Sequence, residues 1–117
     1  MVKRISSLVV LLALILAIPA YASSQRLVDV LPDITFSNNN ATCTVEIYAD
    51  RSNDRINATM ELWQGTRRIG SWSDSDSGYL FIEETAIVDF NKTYTLVINY
   101  SINGITKNPV TIYRTNS

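Results

Sequence analysis

Residues 41 to 49 read Ala-Thr-Cys-Thr-Val-Glu-Ile-Tyr-Ala, and this strict alternation constrains the fold more than any other feature of the chain. Successive side chains of an extended strand point to opposite faces, so a period of two sorts residues by face. Cys43, Val45, Ile47 and Ala49 fall on one side, and Thr42, Thr44, Glu46 and Tyr48 on the other. A strand with one apolar and one polar face belongs to an antiparallel sheet covering a core. The pattern returns at 56 to 63, where Ile56, Ala58, Met60 and Leu62 face in and Asn57, Thr59, Glu61 and Trp63 face out. It returns again in TYTLVINYSI, with Tyr94, Leu96, Ile98 and Tyr100 on one side.

Turn signals separate these runs. They are the Asn cluster at 38 to 40, RSNDR at 51 to 55, QGT with Gly65, SDSDSG at 73 to 78, DFNK at 89 to 92, and Asn103-Gly104. Asn-Gly supplies the positive φ that a tight hairpin needs. Pro32 and Pro109 fall at breaks, and the strand interiors are read as free of proline. Seven or eight short strands at roughly 8–12-residue spacing predict an all-β antiparallel sandwich or barrel. Residues 23 to 33 read as a lead-in and 34 to 117 as the β domain.

The chain opens with a basic pair, Lys3-Arg4, then an unbroken apolar run from Leu8 to Ile18, Pro19, and Ala20-Tyr21-Ala22. Small residues at −3 and −1 suit a signal peptidase, so cleavage is expected after Ala22. The run falls short of the ~20 residues a membrane span needs. No cysteine follows the signal directly and no apolar, basic-ended tail closes the chain, so release outside the cell is the expected location, with association to the envelope as its variant. Removing Lys3 and Arg4 from the ten basic residues leaves eight against eleven acidic ones, a formal net charge of −3. That balance, with no basic stripe, argues against nucleic acid.

The single cysteine, Cys43, cannot form an intramolecular disulfide and reads as a small buried hydrophobe on a strand. A cysteine-poor exported domain fits a Gram-positive or anaerobic bacterium better than an animal. Four Asn-x-Ser/Thr sequons, at Asn40, Asn57, Asn91 and Asn99, read as solvent-facing polar positions.

Cys43 on an early strand and Tyr94-Thr95-Leu96 on a late one resemble the immunoglobulin-like and fibronectin-like sandwiches. The resemblance implies a sandwich of about seven strands, with Leu96 where a second cysteine stands and Tyr94 as the corner tyrosine that bonds back to the chain just upstream. It departs in lacking the disulfide and a core tryptophan. At a finer level Ala41-Thr42-Cys43, Leu62 to Gly65, Ser71-Trp72 and Lys92 to Leu96 are similar to motifs of short secreted Firmicutes proteins. That group carries no assigned activity, so the likeness implies fold and location only.

The chain has no histidine, which removes Ser-His-Asp, Cys-His and imidazole-zinc chemistry. Glu83 and Glu84 are adjacent and point to opposite faces of a strand, so they form no glycosidase pair. No catalytic residue and no cofactor are expected. Asp74 and Asp76 come nearest to a calcium loop, but the glycine arrives one position early and the third acidic ligand is missing. The expected reading of 73 to 78 is a turn. Trp63, Trp72, Arg67 and Arg68 are the candidates for contact with a protein or glycan partner if both tryptophans share the outward face of one hairpin; the alternative is that the tryptophans cover the sandwich edge or pack under a loop, with Gly70 shifting the register of Trp72 inward.

Overall fold

The computed structural model describes residues 28 to 117. The signal-peptide reading at 1 to 22 and its cleavage point lie outside the described residues. Eight strands follow in order: β1 (Asp29–Ser37), β2 (Asn40–Tyr48), β3 (Arg55–Gln64), β4 (Arg67–Ser77), β5 (Tyr79–Ile87), β6 (Thr93–Ile102), β7 (Ile105–Thr106) and β8 (Val110–Thr115). One sheet runs β1-β2-β5; the other runs β4-β3-β6, with β7 and β8 both on the far side of β6. Every pairing is antiparallel. The chain changes sheet between β2 and β3, at Gly78, and between β5 and β6. This is the immunoglobulin-like or fibronectin-like sandwich, all-β as expected.

Alternation sorts the core as read. Cys43, Val45 and Ile47 of β2, Ile56, Met60 and Leu62 of β3, and Tyr94, Leu96 and Ile98 of β6 are fully buried. Cys43 is unpaired, and burial pushes its thiol up to about 11. It packs as a hydrophobe in place of a bridge. Tyr94 makes the corner: its hydroxyl oxygen accepts from the amide of Asp89 at 2.6 Å and lies 3.3 Å from Gln64 Oε1. Phe36 tilts against its ring at 5.9 Å. Below that corner Asn116, 2 % exposed, donates to the carbonyls of Asn38 and Asp89, joining the β1–β2 turn to the β5–β6 connection. Asn103 and Gly104 both take positive φ in the β6–β7 hairpin. All four sequon asparagines are exposed.

Two stretches depart from the sequence reading. β1 begins at Asp29, inside the lead-in, and Pro32 lies within the strand, paired with Val45. The strand tolerates it because β1 is an edge, where a missing N–H breaks no ladder if it points outward. Residues 73 to 77 form no turn. They are the second half of β4, and Gly78 alone turns the chain into β5.

Candidate functional site

The β3–β4 hairpin holds the four aromatic and basic candidates. Trp63 is half-buried on the outward face, and its Nε1 donates to Glu61 Oε1 at 3.3 Å. Arg68 lies opposite Trp63, with Nη1 3.5 Å from Glu61 Oε2. An ion pair this exposed contributes about 0–1 kcal/mol, so it orients the cluster more than it stabilises it. Arg67, at the hairpin end, donates to Gln64 Oε1 at 3.0 Å.

Trp72 is not with them. Between Leu62–Gly70 and Trp63–Arg68 the register slips by one residue, and Ile69 is the extra residue of a bulge. A bulge moves everything beyond it to the other face. Trp72 therefore pairs with Met60 on the inner face and packs, half-buried, against the core. Its indole folds back over Gly70, where a Cβ would meet the ring at 2.6 Å. The bulge decides between the two orientations open to Trp72: Trp63 faces out, Trp72 faces in, and the tryptophans share no face.

The same slip carries Asp74 and Asp76 to the inner side of β4, opposite Ala58 and Ile56, and both remain exposed. β4 has a single sheet neighbour, so alternate amides point to an open edge. Asp74 Oδ1 accepts from the amide of Ser75 at 2.8 Å, and Asp76 Oδ1 from that of Ser77 at 2.7 Å. Asp33 does the same for Ile34 on β1, the edge strand of the other sheet. These carboxylates occupy strand amides and charge the edge, which discourages pairing with another chain. Replacing Asp74 and Asp76 together by valine is expected to change folding stability by less than about 1 kcal/mol. It is expected to cause self-association that grows with concentration in light scattering. Monomeric behaviour at all concentrations would remove the edge-protection role.

Among the described residues, no group of three or more His, Cys, Asp and Glu is placed to hold a metal ion.

The sequence reading assigned no role to the outer face of the β1-β2-β5 sheet. The registers arrange it in cross-strand rows: Asp29, Tyr48 and Tyr79; then Leu31, Glu46 and Phe81; then Asp33, Thr44 and Glu83. Leu31, Tyr48, Tyr79 and Phe81 are each 40 to 53 % exposed. The two tyrosine rings tilt against each other at 4.8 Å. Their hydroxyls donate to the same atom, Glu46 Oε2, at 2.7 and 3.0 Å. The hydrogen bond to Glu46, then partial desolvation, pushes Tyr48 up to about 12; Tyr79 is raised too, first by desolvation and then by the same carboxylate. Each raised value means a tyrosine that keeps its proton longer when folded, so the contribution is complete below the ordinary tyrosine range and fades as pH rises through the folded values. In a spectrophotometric titration Glu46→Gln is expected to return Tyr48 toward its ordinary value of about 10. An unchanged titration would show that the carboxylate does not hold the pair.

On the opposite sheet an open concavity of about 620 Å³ is lined chiefly by the hydroxyls and amides of Asn57, Thr59, Ser73, Ser75, Asn99 and Ser101, with Asp74 as the one charged residue of its lining. Thr59 and Ser73 bond each other at 2.8 Å across it, and Arg55 Nη2 reaches Ser75 at 2.9 Å.

No protein-family profile and no curated protein matches the chain in sequence. Among solved structures it is similar to the sensor domain of the anti-sigma factor RsgI4 of Pseudobacteroides cellulosolvens. The short form aligns at 13 % identity and a TM-score of 0.49, covering 77 % of this chain and 96 % of that one. The long form aligns at 11 % identity and 0.49, covering 78 % and 92 %. At these values the likeness carries nothing about partner or activity.

Proposed function

We propose that this protein is an exported, non-enzymatic immunoglobulin-like module that works by holding a partner outside the cell. The reading is carried by the outer face of the β1-β2-β5 sheet, where Leu31, Tyr48, Tyr79 and Phe81 stand exposed around Glu46. Aromatic side chains offer large contact area at little conformational cost, and clustered on one flat face they are the usual anchors of an interface. The export motif at the N-terminus supports the location, and a chain without histidine has few groups for acid–base work.

A second reading, a carbohydrate-binding module, draws support from the opposite sheet. Its concavity offers hydroxyl and amide groups beside the Asp74 carboxylate, with outward-facing Trp63 on the same sheet to stack on a sugar ring.

Photo-crosslinking separates the two. A benzophenone amino acid at Phe81 is expected to give adducts in the native host, and one at Ser73, on the opposite face, is expected to give none. Adducts from Ser73 alone would move the contact to the concavity, and no adducts from either position would overturn the binding reading.

A further inference from the structure

We propose that the partner seated on the β1-β2-β5 face is a protein segment in extended conformation carrying lysine or arginine at alternate positions. This rests on the reading that the face is the binding surface, and it adds the chemistry of the occupant.

Charge is the first argument. The strands place Asp29, Asp33, Glu46 and Glu83 on this face and no lysine or arginine. An acidic surface steers cationic partners toward it and repels anionic ones, so acidic glycans and anionic lipid fit it poorly. The other sheet has the contrary balance, with Arg55 and Arg68 beside Glu61 on its outer side.

Geometry is the second. Glu46 stands at the centre of the cross-strand rows, with Leu31 and Phe81 directly beside it, Tyr48 and Tyr79 in the row above, and Asp33 and Glu83 in the row below. Both tyrosine hydroxyls bond Oε2, and neither uses Oε1. The carboxylate is half-buried between rings, where its field is less screened than at an open site. A cation above it meets a full charge and the faces of aromatic rings together, the combination that favours ammonium and guanidinium groups. Along a strand, successive same-face residues are about 7 Å apart, which matches the row-to-row spacing of the acidic positions. An extended segment lying along the strands thus sets one cation over Glu46 and the next over Asp33 or Glu83.

The test uses the whole chain, isotope-labelled for amide shift mapping. The probes are an end-blocked peptide of alternating lysine and threonine, its glutamate counterpart, and neutral cellohexaose. The lysine peptide is expected to shift Thr44, Glu46 and Phe81, and to bind more weakly as salt rises. Glu46→Gln is expected to weaken it about tenfold, and Tyr79→Ala by several-fold at unchanged charge. Asp74→Asn with Asp76→Asn, which removes more charge from the other sheet, is expected to leave it within about twofold. Equal losses from the two acidic changes would mean diffuse attraction and would overturn the proposal. Cellohexaose shifting these residues while the lysine peptide does not would overturn the cation and leave the binding face standing. Shifts of the same residues with protein concentration alone would make the occupant a second copy and overturn it as well. Absence of any shift on this face, together with no adduct from Phe81, would remove the face and the occupant at once.

Discussion

Gly78→Ala is expected to cost about 3 kcal/mol of unfolding free energy, and Gly104→Ala only about 1 kcal/mol, although both glycines sit at positive φ. The shared part is the left-handed backbone, with φ of 76° at Gly78 and 82° at Gly104. The difference lies in what a methyl group meets. At Gly104 nothing lies within 4 Å; at Gly78 a Cβ falls 2.7 Å from the carbonyl oxygen of Ser52 and 2.9 Å from its Cα. Those are backbone atoms of the β2–β3 connection and cannot swing aside as a side chain does. Gly78 is also the single residue between β4 and β5, where the chain leaves one sheet for the other. Its amide donates to the carbonyl of Asp54 at 2.8 Å and its carbonyl accepts from Ala49 at 2.9 Å. Moving the backbone to make room would break the corner that joins the sheets. Urea unfolding of the two variants checks the contrast; equal losses would mean that Ser52 yields and the corner is soft.

That glycine shows where sequence was enough and where it was not. Alternation placed Cys43, Met60 and Leu96 in the core, because a period of two needs no tertiary knowledge. The turn at Asn103-Gly104 was legible because its positive φ is a local property of those two residues, and the corner at Tyr94 because the sandwich resemblance implied it. The stretch 73 to 78 misled because Asp, Ser and Gly are the chemistry of turns and also of edge strands that must avoid pairing. Only the position of β4 at the rim of its sheet separates the two. The facing of Trp72 stayed open for another reason. Counting back from the Gln64–Arg67 pair without a slip sets it opposite outward Thr59, and the one-residue bulge at Ile69 sets it opposite inward Met60. The acidic aromatic face was half legible. Glu46 and Tyr48 were assigned outward from alternation, but Tyr79 and Phe81 join them only because β5 pairs with β2 across the intervening hairpin of the other sheet. Pairing between strands distant in sequence is set by burial and topology, which local pattern does not carry.

Asp54→Ala is expected to cost about 3 kcal/mol, against less than about 0.5 kcal/mol for Asp50→Ala in the same connection. Asp50 is exposed, whereas Asp54 is 2 % exposed. Its Oδ2 accepts from the amide of Arg51 at 3.0 Å and its Oδ1 from Asn103 Nδ2 at 2.9 Å. Asn103 in turn exchanges two bonds of 2.8 Å with the backbone of Arg55, through its Oδ1 and its amide. One carboxylate therefore ties the β2–β3 connection to the β6–β7 turn, while its own backbone carbonyl holds Gly78. Removing this buried carboxylate takes the acceptor from the Arg51 amide and from Asn103 Nδ2 in one step. Asp54→Asn is no mild change either. One carboxylate oxygen becomes an NH2 group facing either the Arg51 amide or Asn103 Nδ2, donor against donor, and a loss of about 1–3 kcal/mol is expected. A double-mutant cycle with Asn103→Ala isolates the tie, with a coupling of about 1 kcal/mol expected between residues sharing one hydrogen-bond network. Strict additivity would mean that Asp54 steadies only its own loop, and that the corner at Gly78 keeps the two sheets together without it.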